Sequence, residues 1–239
     1  MSSQRCLVMR PFFLLLSLLV QSASALLVSH KCASTLADGG VHRQRQFASP
    51  ALVRALRHDL GAMSFVPTAS FSSNGEQDDL RAAFTCRPDM DSPTFNVLYE
   101  QLDGVRSECE AMIGRPLSTG MEATFVVYPE GGYYKRHVDS IEGIDVAGSG
   151  RRAISFICYL LDEDGEPWTR RDGGELRVWN AQPVDSQHEL GHAFQTLGQH
   201  EDVLPESGML VLFDSKRVWH EVRPTNRERA CLVGWFREA

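Results

Sequence analysis

The sequence lacks a surplus of positive charge, a long hydrophobic run and a cysteine pattern typical of a structural metal site. It has 24 Lys and Arg against 31 Asp and Glu in 239 residues, a net charge of −7. Residues 1–60 carry seven basic and two acidic residues (+5), so the remainder carries 17 and 29 (−12). Because a body this acidic repels a phosphate backbone, we expect no nucleic-acid partner.

Cysteine is also scarce. Beyond residue 25 there are five, an odd number with no Cys-x-x-Cys spacing, which argues against a structural zinc site and a fully paired disulfide scaffold. With 43% apolar residues and 19 Gly, the composition is that of an ordinary globular protein. The length is sufficient for one large domain, or one domain with a small partner.

The N-terminal residues resemble a targeting sequence. Arg5 and Arg10 precede an apolar run over 11–20, and the small residues Ala23 to Ala25 follow. This order is typical of a secretory signal peptide over 1–25. We therefore expect the secretory pathway (endoplasmic reticulum, Golgi or secretion), with no stable membrane span after cleavage.

Two alternatives to a simple signal peptide remain open. The apolar stretch continues through Leu26, Leu27 and Val28, which would suit an uncleaved signal anchor. Residues 26–48 are basic and poor in acid, and they form either a linker or a second targeting segment, as in bipartite plastid presequences.

The predicted secondary structure changes from helices to strands at about residue 119. Residues 49–118 form an N-terminal helical region, with predicted helices over 50–61 and from Pro93 to Gly114. Loops are expected over 64–75 and 139–151. Residues 119–239 form a β-rich domain of short apolar runs separated by Gly, Pro and Asp. Its strands are predicted at 121–128, 133–138, 152–161, 175–180, 202–204, 209–213, 217–223 and 229–237, which favours a sandwich or jelly roll.

Two histidines and a carboxylate in this domain suggest a metal site. His137 and Asp139 are two residues apart in an extended segment, so their side chains share one face. His220 lies on a distant predicted strand. Two His and one carboxylate are the facial triad that binds non-haem Fe(II) with open positions. Arg229 follows nine residues after His220, where its planar fork could bind a dicarboxylate.

The order of several motifs carries a family resemblance. These are YPEGGYYKRHVD over 128–139, RAISFICYL over 152–160, GGEL over 173–176, HEVRP over 220–224 and the strand 229–236. Over about residues 119–238 the chain resembles the 2-oxoglutarate- and Fe(II)-dependent dioxygenases of the prolyl 4-hydroxylase superfamily. Within that superfamily it most resembles the oxygen-sensing prolyl hydroxylases and their bacterial relatives.

The resemblance implies a mainly β fold, a double-stranded β-helix (jelly roll, cupin-like) with N-terminal helices packed on one sheet. It implies that His137, Asp139 and His220 bind Fe(II). It also implies that Arg229 binds the distal carboxylate of 2-oxoglutarate, with Tyr159 assisting and Tyr128 lining the same pocket. The expected reaction uses dioxygen, releases succinate and carbon dioxide and hydroxylates a C–H bond, most simply of a prolyl residue in a peptide or protein. Ascorbate (vitamin C) is expected to keep the iron reduced.

Competing assignments stay open at this point. Arg227 shares a strand face with Arg229 and is the rival carboxylate ligand. His188-Glu189-Leu190-Gly191-His192 matches the His-Glu-x-x-His pattern of zinc peptidases, on a short predicted helix within 181–201. The alternatives are therefore the same oxygenase chemistry on another residue or a small molecule, a zinc hydrolase using His188 and His192, and a catalytically silent binding module.

Overall fold

The computed structural model describes residues 27–68, 70–71, 77–141, 151–162, 164–179 and 199–239. Within these ranges the helices are α1 (Lys31–Ala37), α2 (Pro50–Leu60) and α3 (Pro93–Ile113), with a 3-10 turn at Arg170–Asp172. The strands are β1 (His42–Gln44), β2 (Val66–Pro67), β3 (Ser70–Phe71), β4 (Gln77–Asp78), β5 (Arg81–Ala82), β6 (Phe84–Cys86), β7 (Glu122–Tyr128), β8 (Tyr133–His137), β9 (Arg152–Tyr159), β10 (Leu176–Trp179), β11 (His200–Val203), β12 (Leu210–Asp214), β13 (Trp219–Val222) and β14 (Arg229–Arg237).

The two long helices begin where the sequence signals predict. The Ser49 side chain accepts a hydrogen bond from the Leu52 amide at 3.2 Å, and Ser92 accepts one from the Phe95 amide at the same distance. Each serine is followed by proline at the first helical position, where the missing N–H costs nothing. Helix α3 ends at Gly114, whose positive φ of 65° suits glycine. The predictions of both helices are therefore confirmed.

Two antiparallel sheets form the β domain. The larger sheet has the order β1-β12-β9-β14-β7-β6-β2, and the smaller has the order β11-β10-β13-β8-β5. Strands distant in sequence are neighbours in both sheets, as in a jelly roll. All eight predicted strands of the β domain are present, and the double-stranded β-helix is confirmed.

The larger sheet separates two apolar cores. Its outer face packs against the helices through residues such as Phe95, Leu98, Phe125 and Phe156. Its inner face packs against the smaller sheet through a second cluster that includes Tyr128, Tyr159 and Leu176. Helices thus support one sheet from outside, which leaves the space between the sheets for a site.

The N-terminal segment contributes more structure than the sequence predicts. Residues 27–48 include α1 and β1, and Val28, Cys32 and Leu36 are buried in the outer core. Glu108 of α3 accepts hydrogen bonds from the amides of Leu27 and Val28, both at 3.0 Å. The described part of this segment is therefore packed on the domain, which a solvated linker would not be.

Other predictions fare differently. The loop expected over 64–75 is wrong in part, since the short strands β2 and β3 lie within it. The helix expected within 181–201 and its two histidines fall outside the described residues, and residues 200–203 belong to β11. The loop expected over 139–151 also lies mostly outside them. Among the described residues no helix is both long and apolar enough to cross a membrane.

Candidate metal centre

Strand pairing brings the two histidines of the sequence-predicted triad together. Strand β8 ends at His137, and His220 lies in β13 directly opposite it in the antiparallel register. Asp139 follows two residues after His137, so its side chain returns to the same face. Residues 83 positions apart therefore meet on the inner surface of the smaller sheet.

The three side chains form a compact group of metal ligands. One ligand atom from each of His137, Asp139 and His220 lies within 4.8 Å of the others. The Nε2 atom of His137 is 3.5 Å from Asp139 Oδ1, and the Nε2 atom of His220 is 3.7 Å from Asp139 Oδ2. The three side chains are only 14%, 9% and 6% exposed, respectively. Within the described ranges, this is the only group of three such residues that could hold a metal ion.

Backbone carbonyls orient both imidazole rings. His137 Nδ1 lies 2.9 Å from the Lys135 carbonyl, and His220 Nδ1 lies 3.1 Å from the Val218 carbonyl. In each pair Nδ1–H must donate, because the carbonyl can only accept. The lone pair of each Nε2 therefore faces Asp139, which is the tautomer that a metal ligand requires.

One serine donates a hydrogen bond to the carboxylate of Asp139, and a second serine contacts the first. Ser155 Oγ of β9 donates to Asp139 Oδ2 at 2.6 Å, and it lies 2.9 Å from Ser215 Oγ. Both serines are buried. The larger sheet thus fixes a carboxylate that belongs to the smaller sheet, a contact that no motif in the sequence predicted.

Local charges keep the carboxylate ionised, and burial keeps the second histidine neutral. Burial by itself would raise the pKa of Asp139, but His220, His137 and the hydrogen bond from Ser155 outweigh it and lower that pKa. Burial, helped by the charge of His137, lowers the pKa of His220 to about 4. An anionic carboxylate beside a neutral imidazole is the protonation state that binds a cation.

The predicted carboxylate ligand Arg229 is fully buried beside two tyrosines. Its Cζ atom is 4.8 Å from the Tyr159 ring centroid and 5.1 Å from that of Tyr128. The three guanidinium nitrogens and the Tyr159 hydroxyl have no hydrogen-bond partner within the described part of the chain. Since an unpaired buried charge is costly, these donors are suited to an anionic ligand.

The rival arginine points elsewhere. Arg227 donates through both terminal nitrogens to the Glu166 carbonyl at 3.1 Å, and its Cζ atom lies 4.6 Å from the Trp168 ring centroid. It is absent from the buried group around Tyr159. Strand β14 begins at Arg229, so Arg227 lies outside the strand and the prediction that the two arginines share a strand face is wrong.

The metal group opens into a cavity of about 230 Å³ between the sheets. Tyr128 lines this cavity and also lies beside Arg229, whereas Arg229 and Tyr159 are not among the lining residues. Two arginines that also line this cavity, Arg81 and Arg152, were not predicted from the sequence. Arg81 lies over the Tyr134 ring at 4.6 Å, and Arg152 lies over the Trp235 ring at 3.5 Å.

A larger cavity of about 580 Å³ lies on another face, lined by Arg43, Trp168 and Glu206 among others, away from the metal group.

Comparison with known proteins agrees with this geometry. Residues 123–237 match the sequence profile of the 2OG-Fe(II) oxygenase superfamily. A prolyl-4-hydroxylase from Pseudomonas putida is 28% identical with a TM-score of 0.68, and the match covers 90% of this chain and 100% of that one.

Two further solved structures share the fold. A prolyl hydroxylase from Trichoplax adhaerens, solved with a hypoxia inducible factor peptide fragment, is 18% identical (TM-score 0.65; 97% of this chain, 94% of that one). HygX from Streptomyces hygroscopicus, solved with nickel, 2-oxoglutarate and hygromycin B, is 14% identical (TM-score 0.62; 89% and 88%).

Proposed function

Because this chain belongs to the 2OG-Fe(II) oxygenase superfamily and is a 2-oxoglutarate-dependent dioxygenase, we propose that it is a peptidyl-prolyl 4-hydroxylase. The observation that carries the substrate assignment is the 28% identity with the Pseudomonas putida prolyl-4-hydroxylase over that enzyme's whole length. The Trichoplax adhaerens prolyl hydroxylase, which shares the fold, was solved in complex with a peptide fragment, and this supports a peptide as the substrate class here.

The residues present fit an Fe(II) ion. His137, Asp139 and His220 would hold it through two imidazole nitrogens and one carboxylate, which leaves positions open for other ligands. Bound iron would supply the redox chemistry that couples decarboxylation of 2-oxoglutarate to C–H hydroxylation by dioxygen. The chain's part is to keep the His220 imidazole neutral, to hold the carboxylate through Ser155 and to limit access of water.

The buried arginine would hold the distal carboxylate of 2-oxoglutarate. Arg229 presents three nitrogens without partners among the described residues, and Tyr159 presents an unpaired hydroxyl beside them. A guanidinium can bind a carboxylate through two parallel hydrogen bonds. Tyr128 contacts Arg229 and lines the metal cavity, so it would also line the pocket of the co-substrate.

We also propose ascorbate as the reductant and the secretory pathway as the destination. The first follows from the family resemblance, and the second from the order of charge, apolar run and small residues over 1–25. N-terminal sequencing of the protein purified from its native cells tests the second, since cleavage after Ala25 would leave Leu26 as the first residue.

Mass spectrometry tests the substrate assignment. The protein would be incubated with Fe(II), ascorbate, 2-oxoglutarate and proline-containing peptides. The expected result is a single added oxygen on proline with release of succinate. Oxygen on another residue, or succinate release stimulated only by a small molecule, would contradict the prolyl assignment while preserving the oxygenase.

A further inference from the structure

A second cavity adjoins the metal cavity, and two residues contribute to the walls of both. This side hollow, of about 450 Å³, shares Thr124 and Trp235 with the metal cavity. The rest of its lining includes Arg87, Met90, Phe95, Tyr99, Glu122 and Ala123. A molecule lying in the side hollow would therefore contact Trp235, which also borders the metal cavity.

One wall of the side hollow is an open strand edge. Strand β6 pairs with β7 only from Phe125 to Val127, and within the described residues nothing pairs with β7 on that side before Phe125. The Glu122 carbonyl points towards Gly234 of β14, on the opposite side of β7. Because backbone groups alternate in direction along a strand, the N–H and C=O of Ala123 point to the open side.

Apart from Arg87, the other wall is apolar, and it carries one exposed large apolar side chain. Met90 is 57% exposed, whereas the nearby Phe95 is buried and contributes only a surface at the base. Glu122 is paired with Arg152 at 2.7 Å and with Arg237 at 3.3 Å, so its charge is neutralised within the protein. The side hollow therefore offers backbone hydrogen bonds on one side and apolar surface on the other.

We propose that the side hollow binds the polypeptide substrate in extended form, as an added strand on the open edge of β7. This inference rests on the proposed function. Main-chain hydrogen bonds to Ala123 would give affinity, as when an extended peptide joins a sheet edge. A large apolar side chain near the target residue would pack against Met90 and Tyr99. The next residues would pass Trp235 and Thr124 and present the target C–H to the metal cavity.

A matched pair of charge substitutions tests the inference. Met90→Asp places a charge in the side hollow, and Val66→Asp places the same charge on β2, where the native side chain is 60% exposed and lines neither cavity. Both sites are exposed, so neither variant should unfold. The probe is a pool of synthetic peptides with a central proline and varied flanks, and the readouts are oxygen incorporation, the KM of the best peptide and succinate formed without peptide.

We expect Met90→Asp to raise the peptide KM roughly tenfold or more, the size typical of disrupting an apolar subsite. Succinate formation without peptide should be unchanged, and Val66→Asp should match the wild type. Hydroxylated peptides should share an apolar residue at one fixed distance from proline. Replacement of that apolar peptide residue by alanine should raise the peptide KM of the wild type. With Met90→Asp the same replacement should raise the KM little further.

The possible failures are distinct. An unchanged KM in Met90→Asp, or hydroxylated peptides without that shared residue, would overturn the inference alone. Succinate formed without any peptide gaining oxygen would overturn the polypeptide occupant. No succinate from the wild type with Fe(II) and 2-oxoglutarate would overturn the proposed function, and the inference with it.

Discussion

The guanidinium of Arg229 lies over the ring of Tyr159, with 4.8 Å between Cζ and the ring centroid and neither side chain exposed. A cation over an aromatic face is stabilised by the ring, but the aromatic ring cannot accept the hydrogen bonds of five N–H groups. The N–H groups of Arg229 therefore have no acceptor among the described residues and are available to bind an anion. This relationship makes Arg229 the first residue to test.

Two replacements of Arg229 distinguish the contribution of its positive charge from that of its planar guanidinium. Arg229→Lys keeps the charge but loses the planar fork, so it should raise the apparent KM for 2-oxoglutarate. Arg229→Ala would leave the carboxylate unpaired in a buried site, which costs about 2–5 kcal/mol. That corresponds to roughly a thirtyfold to several-thousandfold weaker binding. The measurement is titration of succinate release with 2-oxoglutarate in the absence of peptide.

Arg227→Ala is the control for this series. Because Arg227 is bonded to the Glu166 carbonyl and packs on Trp168, its loss should leave the KM for 2-oxoglutarate unchanged. A large defect in Arg227→Ala together with normal behaviour of Arg229→Ala would mean that the assigned carboxylate ligand is wrong.

Metal binding should depend on the triad and not on the second histidine pair. His220→Ala or Asp139→Ala should abolish both iron binding and succinate release, since each removes one of three ligands. The double variant His188→Ala/His192→Ala should retain iron binding and succinate release. Metal content after dialysis and succinate release are the measurements. Loss of metal in the double variant, with retention in His220→Ala, would favour the zinc hydrolase.

Ser155 should matter for iron affinity although it would not touch the ion. Ser155→Ala removes the 2.6 Å hydrogen bond to Asp139, and loss of such a supporting bond typically weakens metal binding about 10- to 100-fold. Ser155→Thr keeps the hydroxyl and should restore part of the affinity. Ser118→Ala, which removes a hydrogen bond to the Glu238 carbonyl, is the matched control. Equal iron affinity in Ser155→Ala and Ser118→Ala would refute the positioning role.

The metal-free protein should lose stability in weak acid. His220 has its pKa lowered from 6.5 to about 4 in the folded state, so the unfolded chain binds a proton at higher pH. The free energy of unfolding should therefore fall as pH drops from about 6.5 to about 4. A shift of this size corresponds to about 3 kcal/mol at most.

Urea unfolding in the presence of a chelator measures this effect. The pKa of His42 is also lowered by burial, so the wild type should be compared with His220→Asn at each pH. Subtraction removes the contribution of His42. Identical pH profiles for the two proteins would show that His220 carries no such linkage.

The sequence predicted the parts of the site that depend on local alternation or on ordered motifs. His137 and Asp139 share a face because side chains repeat every two residues along a strand, and this period is legible in one segment. The pairing of His220 with His137 was predictable only through the family resemblance. Strands β1, β5 and β6 have two or three residues, too few to show any period, so they were not predicted.

Contacts between sheets escaped prediction for a different reason. The hydrogen bond from Ser155 to Asp139 depends on how two sheets face each other, and serine has no distinctive spacing. Arg81 and Trp235 reach the metal cavity from separate elements in the same way. A single arginine or tryptophan has no distinctive spacing either, so the sequence does not show whether it faces solvent, the core or a cavity.

The register that places His220 opposite His137 also constrains how the protein folds. No short segment contains the site, because its two sides are separated by 83 residues of chain that must first close into a loop. Long-range closure is slow compared with formation of a helix such as α3. A nascent chain is therefore incapable of holding iron through all three ligands until β13 has been synthesised and has paired with β8. Binding of the metal by all three ligands therefore comes late in folding, after β8 and β13 of the smaller sheet have paired.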